Sequence, residues 1–275
     1  MMKRHNHRRS VRPRRLGVQP LESRKLMAGD VAVDVDISGS RMDVELTGDG
    51  LSNGVEVRQI GDYLHINGLN HGGAATTIEG QASYVLATKF YTGSQWVSLD
   101  DLRIELNGGD DHVLIRDVRM NAFTHSDLEI RTGRGNDRIT MMDVTVLNDI
   151  DLDDDAWQDG NDYWWMRNID VGGKLEADMG DGFDTFVASY LDADHLDVNS
   201  GRHNDYVSLF GIDVDELDVQ LSSGNDRLRI DASDAVFADL DGGADDDVLD
   251  VNGTGFYANG FNAVAASDNF ETIYS

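Results

Sequence analysis

Seven aspartates, Asp111, Asp137, Asp162, Asp184, Asp205, Asp226 and Asp246, each close a turn of small residues and lead into polar–apolar alternation. The turns read GGDDHVLI, GRGNDRIT, GNDYWWM, GDGFDTFVA, GRHNDYVSL, SSGNDRLRI and GGADDDVLDV. Carboxylates at one phase of a repeat are hard oxygen ligands, and flexible turn carbonyls can join them around a divalent cation, calcium more readily than magnesium. A second set stands directly before them: Asp110, Asn136, Asn161, Asn204, Asn225 and Asp245. Asn and Asp also complete turns by bonding their own backbone, and stacked Asn side chains form an amide ladder that needs no metal. The residues alone leave both readings open.

Other constellations carry less. The acidic run DIDLDDDAWQDGND resembles an EF-hand loop through Asp149, Asp151 and Asp153, but Asp154 stands where Gly is required and Gly160 where Glu is required. Alternation of those Asp with Ile150 and Leu152 reads better as a strand with an acidic outer side. Trp157, Tyr163, Trp164 and Trp165 lie beside it; Trp164 takes the first apolar slot after the turn and is expected inside, Trp165 outside. The histidines show no metal-ligand spacing, and there is no H-E-x-x-H, G-x-S-x-G or Walker pattern. Carboxylate pairs are so abundant that none singles out a glycosidase-like centre.

The elements that must position these residues follow from the spacing. Successive intervals between the seven Asp are 26, 25, 22, 21, 21 and 20 residues, a period that describes an architecture rather than a site. Each copy reads strand, glycine turn, strand, as in LDVNSGRHNDYVSLFGI, Leu196 to Ile212. The pattern predicts an all-β, right-handed parallel β-solenoid, or β-helix, with coils of about 21 residues. Its internal columns are expected to be Leu128, Leu175, Leu196 and Leu217 on one strand and Ile139, Phe186, Val207 and Leu228 on the next. Met42 to Gly68 reads as a diverged copy with Asn53 in the Asp position, and residues 69 to 101 as an irregular insertion. Four segments result: a basic leader at 1–29, an N-terminal β region at 30–101, the repeat solenoid at 102–253 and a C-terminal cap at 254–275.

The turn resembles the nonapeptide G-G-x-G-x-D-x-U-x of RTX, or haemolysin-type, repeats, through Gly133, Gly135, Asp137 and Ile139, through Gly180, Gly182, Asp184 and Phe186, and through Gly242, Asp246 and Val248. That resemblance implies several calcium sites between coils, with the turn Asp and their preceding Asp or Asn as ligands. Here the motif occurs once per coil instead of in tandem. Stacking also has an electrostatic cost: carboxylates about 4.8 Å apart repel by roughly 1 kcal/mol per pair even in water. A bound cation would remove it.

Charge is distributed unevenly. Against 51 Asp and Glu the chain has 23 Lys and Arg, a net −28, yet nine of those bases lie within the first 27 residues beside a single acid, Glu22. The remainder holds 14 bases and 50 acids, which argues against nucleic acid as a partner and for cations. Only nine of the acids are Glu, so the acidity belongs to turns and strand edges rather than to helices. Cysteine is absent, and no apolar run reaches the length of a transmembrane segment.

The leader is expected to be disordered or processed. Its apolar stretch from Leu16 to Ala28 is too interrupted for a secretory signal. It resembles instead the LEPR-XLL amino-terminal motif of large surface and secreted proteins of planctomycete-type bacteria, through Leu21, Glu22, Arg24, Leu26 and Met27-Ala28-Gly29, with Ser23 at the Pro position. Together these features predict an exported, non-catalytic, calcium-binding surface, matrix or adhesion module, with polysaccharide or other surface proteins as candidate partners. The alternatives are a polysaccharide-acting β-helix lyase or glycosidase, using an arginine such as Arg116 or Arg138, and a metal-free acidic scaffold.

Overall fold

A computed structural model describes residues 29–71, 74–154, 160–252, 267–270 and 272–274. The leader before residue 29, Trp157 and most of the C-terminal cap lie outside the described residues. The fold is an all-β parallel solenoid of about 7 turns with coils of about 22 residues. One coil shows how it is made. Strand Leu128–Arg131 enters a glycine turn, strand Arg138–Val146 leaves it, and Ile150–Asp153 then lies parallel on Leu128–Arg131. A parallel neighbour requires a crossover, and here the rest of the coil is that crossover.

The expected columns form, each with a member added. Leu128, Ile150, Leu175, Leu196 and Leu217 stack in register, as do Ile139, Trp164, Phe186, Val207 and Leu228. Trp164 is fully buried, and all ten belong to one continuous apolar core. Strict alternation drives this: every second residue of each strand turns inward, and like residues from successive coils meet at the strand spacing.

A second corner in each coil carried no recognised turn signal. Asp117, Asp143, Asn168, Tyr190, Gly211 and Ala232 are stacked there with φ of 56, 56, 54, 55, 61 and 48°. Left-handed backbone reverses which side alternate residues face, so the strand after the corner can still bury Val144, Ile169, Leu191 and Ile212. Asp and Asn tolerate that conformation, and Asn168 Nδ2 bonds Asp143 Oδ1 at 2.8 Å. Tyr190 and Ala232 adopt it without such help.

At the N-terminal end the parallel order gives way to hairpins. Arg41–Thr47 lies parallel on Trp96–Glu105, and Gly54–Ile60 on His112–Arg116, so the diverged copy is the first coil. Asp30–Ser38 then pairs antiparallel with Arg41–Thr47, and Tyr63–Gly68 with Gly54–Ile60. Residues 69 to 101, which read as irregular, contain three further antiparallel pairings, of Asn70–His71 with Ala74–Ala75, of Ser83–Ala87 with Tyr63–Gly68 and of Lys89–Tyr91 with the start of Trp96–Glu105. Departure from the 21-residue period hid these strands. At the other end Ser267–Asp268 and Thr272–Tyr274 continue the parallel stacking.

Glycine is required where turns touch. Gly135 has φ 141°, and a methyl group there would overlap the carbonyl oxygen of Gly109 one coil away. Gly135→Ala is therefore expected to lower unfolding free energy by about 2 kcal/mol or more, read by urea denaturation. The same change at Gly39, which has open space around it, would cost only its backbone strain.

Candidate functional site: an aspartate ladder and an acidic bulge

The turn aspartates do not face solvent. They point into the solenoid, and each takes a hydrogen bond from the backbone of the preceding coil: Asn53 N–H to Asp111 Oδ1 (2.6 Å), Asp111 to Asp137 (2.6 Å), Asp137 to Asp162 (2.6 Å), Asp162 to Asp184 (2.7 Å), Asp184 to Asp205 (2.8 Å), Asp205 to Asp226 (2.7 Å) and Asp226 to Asp247 (2.8 Å). Their carbonyls engage the same neighbour, as when Asp111 C=O accepts from Arg138 N–H at 2.9 Å. Each rung from Asp111 to Asp226 thus ties its turn to the next coil through both its N–H and its C=O.

The seventh rung is Asp247. The spacing assigned it to Asp246, one residue early, because GGADDDV offers three consecutive Asp. Asp246 belongs to the outer column, where its N–H donates to Asn225 Oδ1 at 3.0 Å, and Asp245 occupies the glycine position with φ 88°. The remaining outer residues form the anticipated side-chain ladder. Asn136 bonds Asp110 Oδ1 through both its N–H and Nδ2 (2.9 and 3.0 Å), Asn161 bonds Asn136 likewise (3.1 and 3.0 Å), and Asn225 N–H bonds Asn204 Oδ1 (2.8 Å). Phe183 interrupts the side-chain series but still donates its N–H to Asn161 Oδ1.

Burial of carboxyls has a protonation consequence. Asp111, Asp137, Asp162, Asp184, Asp205 and Asp226 are at most 4% exposed, and their Oδ2 atoms lack a hydrogen bond of good geometry. Loss of hydration raises their pKa, the backbone N–H bond opposes the rise, and neighbouring carboxylates add to it, giving about 9 for Asp111, 7 for Asp137, 6 for Asp162, 8 for Asp184, 7 for Asp205 and 7 for Asp226. The strand-end column that ends each approach to the turn runs Leu106, Thr132, Asp154, Met179, Ser200 and Leu221, each bonded through its N–H to the following coil. Asp111 and Asp184, the highest, follow apolar Leu106 and Met179; Thr132, Asp154 and Ser200 act to lower Asp137, Asp162 and Asp205. Asp226, after Leu221, lies nearer the end of the stack. The buried carboxyls of Asp154 and Asp162 adjoin, a contact that becomes a hydrogen bond when they share a proton.

A second carboxylate ladder escaped the sequence reading. Asp43 accepts from Asp101 N–H, Asp101 Oδ1 from Asp127 N–H (3.0 Å), Asp127 Oδ1 from Asp149 N–H (3.1 Å), and Asp149 Oδ1 from Lys174 N–H (2.7 Å). Here the later coil donates to the earlier one, opposite to the inner ladder. The series begins at a bulge: Leu99 pairs with Met42 and Leu102 with Val44, leaving Asp100 and Asp101 opposite Asp43 alone. Asp43, Asp100 and Asp101 each place one oxygen within 4.8 Å of the others. Asp100 is 2% exposed and is held by Arg41 (3.4 Å), His125 (3.3 Å) and the Ser126 hydroxyl (3.0 Å). Burial, then nearby carboxylates, push Asp43 and Asp101 up from their ordinary value. Asp43 and Asp101 line a cavity of about 270 Å³ together with Asp34, Asp36, Glu45, Asp127, Glu129 and Arg103.

Both groups could bind ions, but they differ as donor sets. A ladder Asp has one oxygen committed to backbone and one left, inside an apolar core. The triad gathers three carboxylates, two of which, Asp43 and Asp101, line an open cavity with further acids, closer to the many-oxygen shell that calcium takes. The phase break that marks the triad is visible in WVSLDDLRIE, where inward positions shift from Val97 and Leu99 to Leu102 and Ile104. Among the other sequence candidates, Asp151 and Asp153 face outward and Ile150 and Leu152 inward, while Trp165 is half-buried on the outside. Among the described residues no helix is long and apolar enough to cross a membrane.

No family model, curated protein or solved structure matches this chain. Fold and site therefore define its class by themselves: a β-solenoid with a stacked internal Asp ladder.

Two outcomes follow from the ladder. The folded state holds protons on these carboxyls after the unfolded chain, near 3.8, has lost them. Stability is therefore fully supported below about pH 4 by this set and declines as pH rises towards 9, so the melting temperature in chelator should be higher at pH 5 than at pH 9. Replacement of one rung separates acceptor from charge. Asp205→Ala leaves the Asp184 N–H buried without its partner and should cost about 1–3 kcal/mol in denaturant unfolding. Asp205→Asn keeps an acceptor and should cost less while flattening the pH dependence.

Proposed function

We propose that this chain is an exported, non-catalytic β-solenoid that serves as a surface, matrix or adhesion module of a bacterium and binds calcium. The observation that supports it most is repetition: coil after coil presents the same Asp and Asn in the same bonds, as a scaffold does, whereas a catalytic centre gathers unlike groups at one place. Export rests on the resemblance of Leu21 to Gly29 to the LEPR-XLL motif.

For calcium, the Asp43–Asp100–Asp101 bulge is the leading site and the turn carboxylates are a second group of ligands. A cation at the bulge would offset the repulsion from neighbouring carboxylates that adds to the effect of burial in raising the pKa of Asp43 and Asp101. A metal-free scaffold is the second reading. It is favoured by the ladders themselves, whose Oδ1 atoms already have backbone partners.

Calcium titration of the chelator-treated protein, followed by calorimetry, tests the proposal. Binding with a rise in melting temperature is expected, abolished or weakened at least tenfold by Asp43→Asn with Asp101→Asn and little changed by Asp205→Asn. Absence of binding at millimolar calcium, with an unchanged melt, would leave the metal-free scaffold.

A further inference from the structure

One stretch of this acidic chain holds no acid. Residues 80–99 contain neither Asp nor Glu, although 50 of them follow the leader, and Lys89 is the single base there. In their place the stretch carries Thr92, Ser94, Gln95 and Ser98 around two aromatic residues, Tyr91 and Trp96.

Lys89–Tyr91 and the start of Trp96–Glu105 form a hairpin that closes where Thr92 N–H donates to Gln95 C=O at 2.9 Å, with Gly93 at φ 94°. The Gln95 side-chain amide donates to the carbonyl of Gly39, in the turn between Asp30–Ser38 and Arg41–Thr47, so two hairpin tips are joined. That second tip, residues 37–42, also lacks acids and offers Ser38 and Ser40, both exposed. Alternation turns Phe90 and Val97 towards the core and leaves Tyr91 and Trp96 outward as a cross-strand pair, 55% and 58% exposed. Their ring centres are 5.5 Å apart and the planes are tilted by 53°. Lys89 Nζ lies 5.2 Å from the centre of the Trp96 ring and has no carboxylate partner among the described residues.

These residue types match one ligand chemistry. A sugar ring presents C–H groups on its faces and hydroxyls around its edge; aromatic rings match the first, and hydroxyl and amide side chains match the second. Uncharged groups also cost less to strip of water than carboxylates do when a ligand covers them. Lys89 helps to hold the Trp96 ring in one place, so less freedom is lost on contact. A second exposed pair lacks this setting: Tyr190 and Phe210, 5.4 Å apart, are followed in their strands by exposed Asp192 and Asp213.

We propose that the joined hairpin tips bind a neutral polysaccharide, with neighbouring sugars on the Tyr91 and Trp96 rings and their hydroxyls on the rim of Ser and Thr side chains. The inference supplies a ligand for the adhesion reading and rests on it, though not on calcium. Neutrality follows from charge: a chain of net −28 repels an acidic polymer, and one Lys is a small local offset. A partner protein would require an apolar collar that seals the rings from water, whereas Thr92, Ser94 and Gln95 beside them are polar and exposed.

Native affinity electrophoresis of the full chain in chelator tests it, in gels that contain hydroxyethylcellulose, galactomannan or dextran, with alginate as the acidic polymer. At least one neutral gel should retard the protein, and Tyr91→Ala with Trp96→Ala should raise the apparent Kd roughly tenfold or more. Phe183→Ala, which removes an exposed ring elsewhere, should leave retardation unchanged. Melting curves check that the fold is intact, and Tyr91→Ala alone, with a smaller loss expected, replaces the pair if they shift. No retardation in any neutral gel overturns the proposal, as does retardation by alginate alone or retardation that survives the loss of both rings. Calcium titration reads the bulge separately, so such a failure is distinguishable from a failure of calcium binding.

Discussion

In a stacked coil, every backbone N–H that turns away from its own strand must find an acceptor in the next coil, and at the glycine turn the strand carbonyls have run out. One carboxyl per coil solves this. The Asp side chain reaches inward, accepts the N–H of the equivalent Asp before it, and passes its own N–H to the one after. The other arrangements follow: glycines must let turn backbones approach, small residues must precede the rung, and the core must close over a row of acids.

That solution creates an electrostatic problem as it removes a hydrogen-bonding one. A buried carboxylate with a single good hydrogen bond is costly as an anion, and a row of them is costlier. In the inner ladder, where the carboxyls are buried and their pKa is raised, protons offset the charge. At the bulge, where Asp43 and Asp101 line an open cavity beside buried Asp100, cations are the available counterpart. The two ladders run in opposite senses along the stack, so the coils are clasped from both directions.

The architecture was legible because it repeats. Alternation around seven similar turns gave the coil, the columns and the inward position of Trp164, and the Asn residues before four of the seven Asp announced the outer ladder. What repetition could not convey was direction. Whether a turn Asp faces solvent, as a ligand would, or faces the core depends on one residue of phase, and that same uncertainty put the last rung at Asp246 instead of Asp247. The left-handed corner from Asp117 to Ala232 was missed because its residue types differ from coil to coil while its backbone does not. The second ladder was hidden for another reason: Asp43 and Asp101 lie 58 positions apart, separated by hairpins outside the period.

The central claim is that the inner carboxyls serve the fold as proton-bearing backbone acceptors. Carbon-detected NMR titration of aspartate carboxyls, in chelator, tests it at the atoms concerned. A group of Asp resonances should titrate between about 6, as for Asp162, and about 9, as for Asp111. If every Asp of the folded protein titrated near 3.8, the ladder carboxyls would be charged at neutral pH and the account would be wrong.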